Sequence, residues 1–164
     1  MIKDKENNTQ LDLIDEIYSL GYWMTGSKKD ASDLLRRTYL NADKNSSEAE
    51  LIRRFRICYF DSIGQVPVSG FIETLDQSKE SLTKSLWKWF EDIKLTVLLS
   101  EIPGLKHREI GEITGNTLET IRLWLSWGRK QLKNGKLLNY SPMSKATIQA
   151  LKTTALPKTV LKLI

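Results

Sequence analysis

The stretch GEITGNTLETIRLWLSWGRKQLKNG, residues 111–135, decides the fold. It reads as the end of one short helix, a Gly115-Asn116 turn and a second helix, the plan of a helix-turn-helix. In the second helix Leu118, Ile121, Leu125, Gly128 and Leu132 recur at helical spacing. Asn116 with Glu119 can box its start, and Gly135 stands where its end is expected. Such a second helix normally lies in the DNA major groove, where arginines and amides serve base edges and phosphates. Here the outermost positions are Glu119, Thr120, Leu123, Trp127 and Lys130, with Trp124 at the edge. Thr120, Arg122, Arg129 and Lys130 are candidate DNA contacts. Indole offers one N–H donor and cannot copy a bidentate arginine contact, though it could lie against a thymine methyl. Exposed tryptophan beside leucine is the make-up of a protein-interface hot spot. Leu123, Trp124 and Trp127 are therefore expected to meet a partner protein or the chain's own tail. The competing expectation buries both indoles against that tail or against the N-terminal half.

Upstream the pattern is helical throughout, which sets the fold class as all-α. Ile14, Ile17, Tyr18, Gly21 and Met24 form one buried stripe, with Thr9 and Asp12 able to cap it and Thr25-Gly26-Ser27 ending it. A second helix starts at Ser27, boxed with Asp30, and buries Ala31, Leu34, Leu35 and Thr38. A third starts at Ser47, boxed with Glu50, and turns Leu51, Phe55, Cys58 and Ser62 inward. The opposite face then carries Arg53, Arg56, Ile57 and Phe60, with Arg54 on its shoulder. GQVPVSGFIETLDQSKES, residues 64–81, has two glycines, a proline and no clear period, so it reads as a linker between two small helical domains. After it Leu82, Leu86, Trp89, Phe90, Ile93 and Val97 resume helical spacing up to Pro103-Gly104. The expected organisation is a three-helix domain over 9–65, a linker over 66–78, a helix-turn-helix domain over 79–138 and a basic tail over 139–164.

Composition excludes several function classes. The chain has 164 residues, a net charge of +5 and one cysteine, Cys58, so no internal disulfide and no CxxC zinc pair can form. Charge is uneven: residues 1–103 hold 14 cations against 17 anions, 104–138 hold 7 against 3, and 139–164 hold 4 against none. A basic C-terminal half suits a polyanion or an acidic protein, or is simply a solvated lysine face. The polar start MIKDKENNTQ and the lack of a long apolar run give no expectation of export or membrane insertion, and a cytoplasmic protein is expected. His107 stands alone without ligand-spaced partners, and no GxSxG, HExxH or Gly-rich phosphate loop occurs. No enzyme, metal or cofactor is expected, and the scattered carboxylates read as solvated polar faces.

Three stretches together resemble the extracytoplasmic-function sigma factors of bacterial RNA polymerase: SLGYWMTGSKKDASDLLRRTYLNADKN, residues 19–45, LTKSLWKWFEDIKLTVLLSEIPGLKHREIGEITG, residues 82–115, and TIRLWLSWGRKQLKNG, residues 120–135. The resemblance implies that the second helix binds the polymerase clamp through the positions of Asp33, Leu34, Leu35, Arg36, Thr38 and Tyr39, although Leu34, Leu35 and Thr38 are also core positions. It implies that the third helix faces the melted −10 promoter strand, where Arg53, Arg54 and Arg56 neutralise phosphates and Phe60 stacks a base, unless Phe60 packs on the second domain. It implies core RNA polymerase and promoter DNA as partners. The sequence departs from the family pattern at Phe60 and Gly64, where an Asn and an Asp are customary, and at Leu123, Trp124 and Trp127, where small polar or basic residues stand. A divergent initiation protein, aided by a targeting or anti-sigma protein on the tryptophan face, is the leading expectation. A sigma mimic that only binds a regulator, and a helix-turn-helix repressor unrelated to polymerase, are the alternatives.

Overall fold

Thr25, Gly26 and Ser27 break the chain because the Thr25 hydroxyl turns back to the Gly21 carbonyl at 2.8 Å while Ser27 Oγ accepts the Asp30 N–H at 3.3 Å. One helix thereby ends and the next begins. The computed structural model describes residues 10–64 and 77–139. Among them the elements are α1 (Gln10–Thr25), α2 (Lys28–Leu40), α3 (Glu48–Gly64), α4 (Gln77–Glu101), α5 (His107–Thr114), α6 (Leu118–Lys133) and the short α7 (Lys136–Asn139). Every regular element among the described residues is helical, as the periodicity requires. The Thr9 cap, most of the expected linker, the side chains of Leu82 and Leu86, and the basic tail lie outside the described residues; Gln77 and Ser78, expected in the linker, already belong to α4.

The expected caps hold at Ser27 and at Ser47, whose hydroxyl accepts the Glu50 N–H at 3.3 Å. In the helix-turn-helix the cap is one residue later than expected. Thr117, not Asn116, accepts the Thr120 N–H at 3.3 Å, and the Asn116 side chain instead donates to the Thr114 carbonyl. Gly115 has φ +74°, the left-handed conformation that closes α5 with its N–H on the Gly111 carbonyl.

α1, α2 and α3 pack on one another, α4, α5, α6 and α7 do likewise, and α4 touches α1 while α5 touches α3. The result is one continuous hydrophobic core from Leu13 to Leu137 rather than two separate ones. Its axis is α4, where ten consecutive residues, Phe90–Leu99, are buried. A helix buried all round must be enclosed by neighbours on every side, here α1 and α3 on one flank and α5 and α6 on the other. Gly128 of α6 permits the tightest approach: a Cβ there would stand 2.4 Å from Val97 Cγ2 and 3.3 Å from Ile93 Cγ2. No helix among the described residues is long and apolar enough to cross a membrane.

The stripe of α1 is shifted from the periodic expectation and that of α3 is wider. In α1 the buried set is Leu13, Ile17, Leu20, Gly21 and Met24, while Ile14 and Tyr18 lie at its margins. In α3 the expected Leu51, Phe55 and Cys58 are buried, and so are Ile52 and Tyr59, because the far side of α3 meets α4.

Candidate nucleic-acid interface

Helix α6 presents Glu119, Arg122, Leu123, Ser126 and Lys130 on one exposed face. No ion pair among the described residues ties down Arg122 or Lys130, so both remain able to neutralise phosphates. Leu123 is 37% exposed between them. Thr120 sits lower, held in the cap with its Oγ1 2.9 Å from that of Thr117. Arg129 is turned away: it donates to Glu101 at 2.9 Å and to Ser100 at 2.8 Å on α4.

The tryptophan expectation needs correction. Trp124 is only 6% exposed, and Trp127 is half-buried against the core. Both close on α4 of their own unit, with Trp89 6.4 Å from Trp124 and 6.2 Å from Trp127, and Phe90 edge-on to Trp127 at 6.1 Å. Trp124 lies about 80° from the centre of the α6 stripe at 100° per residue, at the edge of the stripe, and is covered there because α4 reaches round to it. Trp127 is drawn in because α4 brings two aromatic rings to that flank. Trp124 is not available as an outward hot spot and Trp127 keeps only part of its surface open, and the Trp124 Nε1–H is buried without a partner. Of the three expected partner contacts, Leu123 is exposed, Trp127 partly so and Trp124 buried.

Helix α2 shows the same division between core and surface. Leu34 and Thr38 are buried, the Thr38 hydroxyl donating to the Leu34 carbonyl at 2.7 Å, and Leu35 and Tyr39 pack partly against the core. Burial raises the Tyr39 hydroxyl above its ordinary pKa. These four shape the helix and cannot all meet a partner. Asp33 and Arg36 are exposed and paired at 3.0 Å, and Leu40, absent from the sequence expectation, shares their face at 72% exposure. The signal was available: Leu40 follows Arg36 by four residues and Asp33 by seven. Arg37 donates instead to Ser62 of α3.

On α3 the expected strand-binding cations are engaged within the molecule. Arg53 and Arg54 both reach Glu50, at 2.9 and 3.1 Å. Arg56 grips Asp92 of α4 with two parallel bonds of 3.0 Å each. Phe60 is partly buried against the core, with the Arg56 guanidinium 5.0 Å and the Lys88 ammonium 5.6 Å from its ring centroid. Its packing on the second unit is therefore the alternative the structure realises. Ile57 stays 48% exposed.

Between α3 and α4 this contact continues inward as a polar seam. The Tyr59 hydroxyl donates to Glu91 at 2.5 Å, and Lys94 Nζ donates to the Met24 carbonyl at 3.1 Å. That carbonyl belongs to the last turn of α1, where unsatisfied acceptors and the negative end of the helix dipole favour a cation. Burial pushes the Glu91 carboxyl up, while Lys94 and the Tyr59 donor favour its charge; the Trp87 indole favours it too, though its N–H completes no hydrogen bond. Burial likewise raises Asp92, opposed by Arg56, lowers Lys94, opposed by Glu91, and lifts the Tyr59 hydroxyl well above its usual range with Glu91 adding to the rise. Glu91 and Asp92 thus correct the expectation that the carboxylates are uniformly solvated. His107 opens α5 and joins no cluster, and no group of metal-ligating side chains occurs among the described residues.

Comparison with known proteins bears on what these helices share. The chain is 25% identical to the ECF RNA polymerase sigma factor SigE of Mycolicibacterium smegmatis over 146 aligned residues, covering 73% of this chain and 57% of that protein. The likeness is that of a divergent chain to one ECF sigma factor. The chain spans little more than half the length of that relative. No protein-family model matches the chain, and no solved structure does. The similarity reaches beyond either helical unit, since 73% of the chain is more than α1–α3 or α4–α7 contains.

Proposed function

We propose that the protein is a sigma-type transcription initiation factor that binds core RNA polymerase and places or opens a promoter. The observation that carries this reading is a similarity extending over both helical units in one chain, which a shared helix-turn-helix alone would not produce. In this reading the exposed face of α2, Asp33, Arg36 and Leu40, docks on polymerase, with Leu34, Leu35, Thr38 and Tyr39 shaping the helix beneath. The outer face of α3 receives the unpaired promoter strand through Arg53, Arg54, Arg56 and Phe60, by phosphate neutralisation and base stacking. The α6 helix enters duplex DNA with Arg122 and Lys130 on phosphates, Thr120 at its leading end and Leu123 against a thymine methyl. Arg129 serves mainly to hold α6 to α4.

Affinity purification of the full chain from its native cell, followed by run-off transcription with the recovered polymerase, tests the reading. Stoichiometric core subunits and promoter-dependent transcripts are expected. Recovery of a small regulator without polymerase would instead establish a sigma mimic. Salt-sensitive binding to specific duplex DNA without any polymerase would establish a repressor.

A further inference from the structure

The corner between α1 and α2 carries an aromatic pair that the fold leaves open. Tyr22 and Trp23 are 36% and 46% exposed, and their rings meet edge to face with centroids 5.7 Å apart. Just past the corner Lys28 and Lys29 are exposed, and neither makes an ion pair among the described residues. The corner is fixed from within: the Thr25 hydroxyl donates to the Gly21 carbonyl at 2.8 Å and accepts the Ser27 N–H at 3.2 Å. Gly21 lets the two helices approach there, since a Cβ on it would lie 3.1 Å from Ala31 Cα. The backbones that carry the rings and the ammonium groups are thus set before any partner arrives, which lowers the cost of binding one.

The geometry points to this corner as a contact for single-stranded DNA, with Trp23 and Tyr22 stacking bases and Lys28 and Lys29 on the phosphates beside them. Every base has a π-face and every linkage an anion, so exposed rings next to cations suit a strand of any sequence. A protein partner suits the patch less: tryptophan and tyrosine anchor protein interfaces, but lysine is depleted from them. Two lysines against the carboxylate of Asp30 leave residues 22–30 with a net charge of +1, so stacking carries more of the affinity than charge does. The site is distinct from the outer face of α3, whose arginines reach Glu50 and Asp92. The choice of DNA as the strand rests on the initiation reading above, whereas the stacking chemistry does not.

The test uses the full chain and a fluorescein-labelled oligodeoxythymidylate of about 12 nucleotides, a length within the range one binding site covers, read by fluorescence anisotropy. Trp23→Ala and Tyr22→Ala are each expected to weaken binding about fivefold or more, the loss of one stacked base. Trp23→Phe keeps a ring and should stay within about threefold of the parent. Replacing Lys28 and Lys29 together by alanine should flatten the dependence of log affinity on log salt by about 1.4, roughly 0.7 for each single-strand phosphate neutralised. Leu40→Ala, an exposed apolar change at the far end of α2, should leave affinity within about twofold. Oligonucleotide should also quench the tryptophan fluorescence of the parent, and Trp23→Phe should lose much of that quenching while keeping most of its affinity.

Unchanged affinity for Trp23→Ala and Tyr22→Ala, with an unaltered salt slope for the lysine pair, overturns the corner site. If Arg53→Ala with Arg54→Ala abolishes binding in that case, the strand-binding role of α3 stands; if it changes nothing, or the parent binds no oligonucleotide, both ideas fail. Undiminished quenching in Trp23→Phe overturns the stacking even where the alanine variants do not fold. Weaker polymerase binding by Trp23→Ala at unchanged oligonucleotide affinity makes the corner a protein contact and overturns the DNA assignment, as does tighter binding of the parent to the matching oligouridylate.

Discussion

Replacing Gly128 by alanine should destabilise the protein, although glycine to alanine within an exposed helix ordinarily stabilises it by about 0.5–1 kcal/mol. The added methyl would stand 2.4 Å from Val97 Cγ2 and 3.3 Å from Ile93 Cγ2, where carbon atoms prefer roughly 3.5–4.0 Å. Val97 is fully buried within α4, and a helical valine is largely confined to one rotamer, so the clash cannot be relieved at a flexible side-chain end. Overpacking of this kind costs about 1–3 kcal/mol, which exceeds the propensity gain and leaves a net loss of about 1–2 kcal/mol. Urea unfolding followed by far-UV circular dichroism and tryptophan fluorescence measures it. In a double-mutant cycle Val97→Ala should recover about 1 kcal/mol in the Gly128→Ala background, although alone it destabilises by opening a cavity. A raised midpoint for Gly128→Ala, or strictly additive effects of the two changes, would refute the α4–α6 packing described above.

Other consequences are equally open to measurement. Because burial raises the folded-state pKa of Glu91 above its ordinary value of 4.5, the native chain takes up that proton before the unfolded chain does. Stability relative to Glu91→Gln should therefore rise as pH falls through the raised pKa toward 4.5, and urea titrations in that window would show a flat or opposite trend if the seam were solvated. Trp124→Phe removes a buried N–H that lacks a partner, a relief of about 1–3 kcal/mol that offsets the smaller ring, so thermal melts should change little. Trp127→Ala, by contrast, loses its ring contacts with Trp89 and Phe90 and should cost about 2–3 kcal/mol in the same assay. Arg122→Ala and Lys130→Ala should each weaken binding of the polymerase-bound protein to duplex promoter DNA and reduce the salt slope by about one, with stability changed by less than about 0.5 kcal/mol. An unchanged salt slope for both would remove α6 from the DNA.

The features legible in the sequence are those that local chemistry fixes. Ser27 and Ser47 cap their helices from side-chain atoms three residues from the N–H they satisfy, and Gly115 ends α5 because its backbone conformation suits glycine. Periodicity identified most of each buried stripe, but it placed Leu118 of α6 inward although that side chain is 41% exposed, and it missed the breadth, which depends on what lies across from the helix. Ile52 and Tyr59 are buried because α3 has partners on two sides, and Trp124 is buried because Trp89 of α4 widens the arc. The Arg56–Asp92 pair spans 36 residues and joins two units that a reading of separate domains keeps apart. For that reason Arg56 and Phe60 read as outward groups although the structure seats them against α4. Leu40 was readable from its register with Asp33 and Arg36, whereas nothing local marks Glu91, Asp92 and Lys94 as buried.

The most direct measurement is the equilibrium between the full chain and core RNA polymerase from the cell that makes it, followed by labelled-chain sedimentation with and without the paired substitutions Arg36→Glu and Leu40→Asp. The account expects a one-to-one complex that these exposed α2 changes weaken by at least about tenfold while helicity is preserved, since interface anchors are often worth more than 1.4 kcal/mol. A chain that stays free of polymerase at every concentration, or a complex indifferent to the altered α2 face, would contradict it.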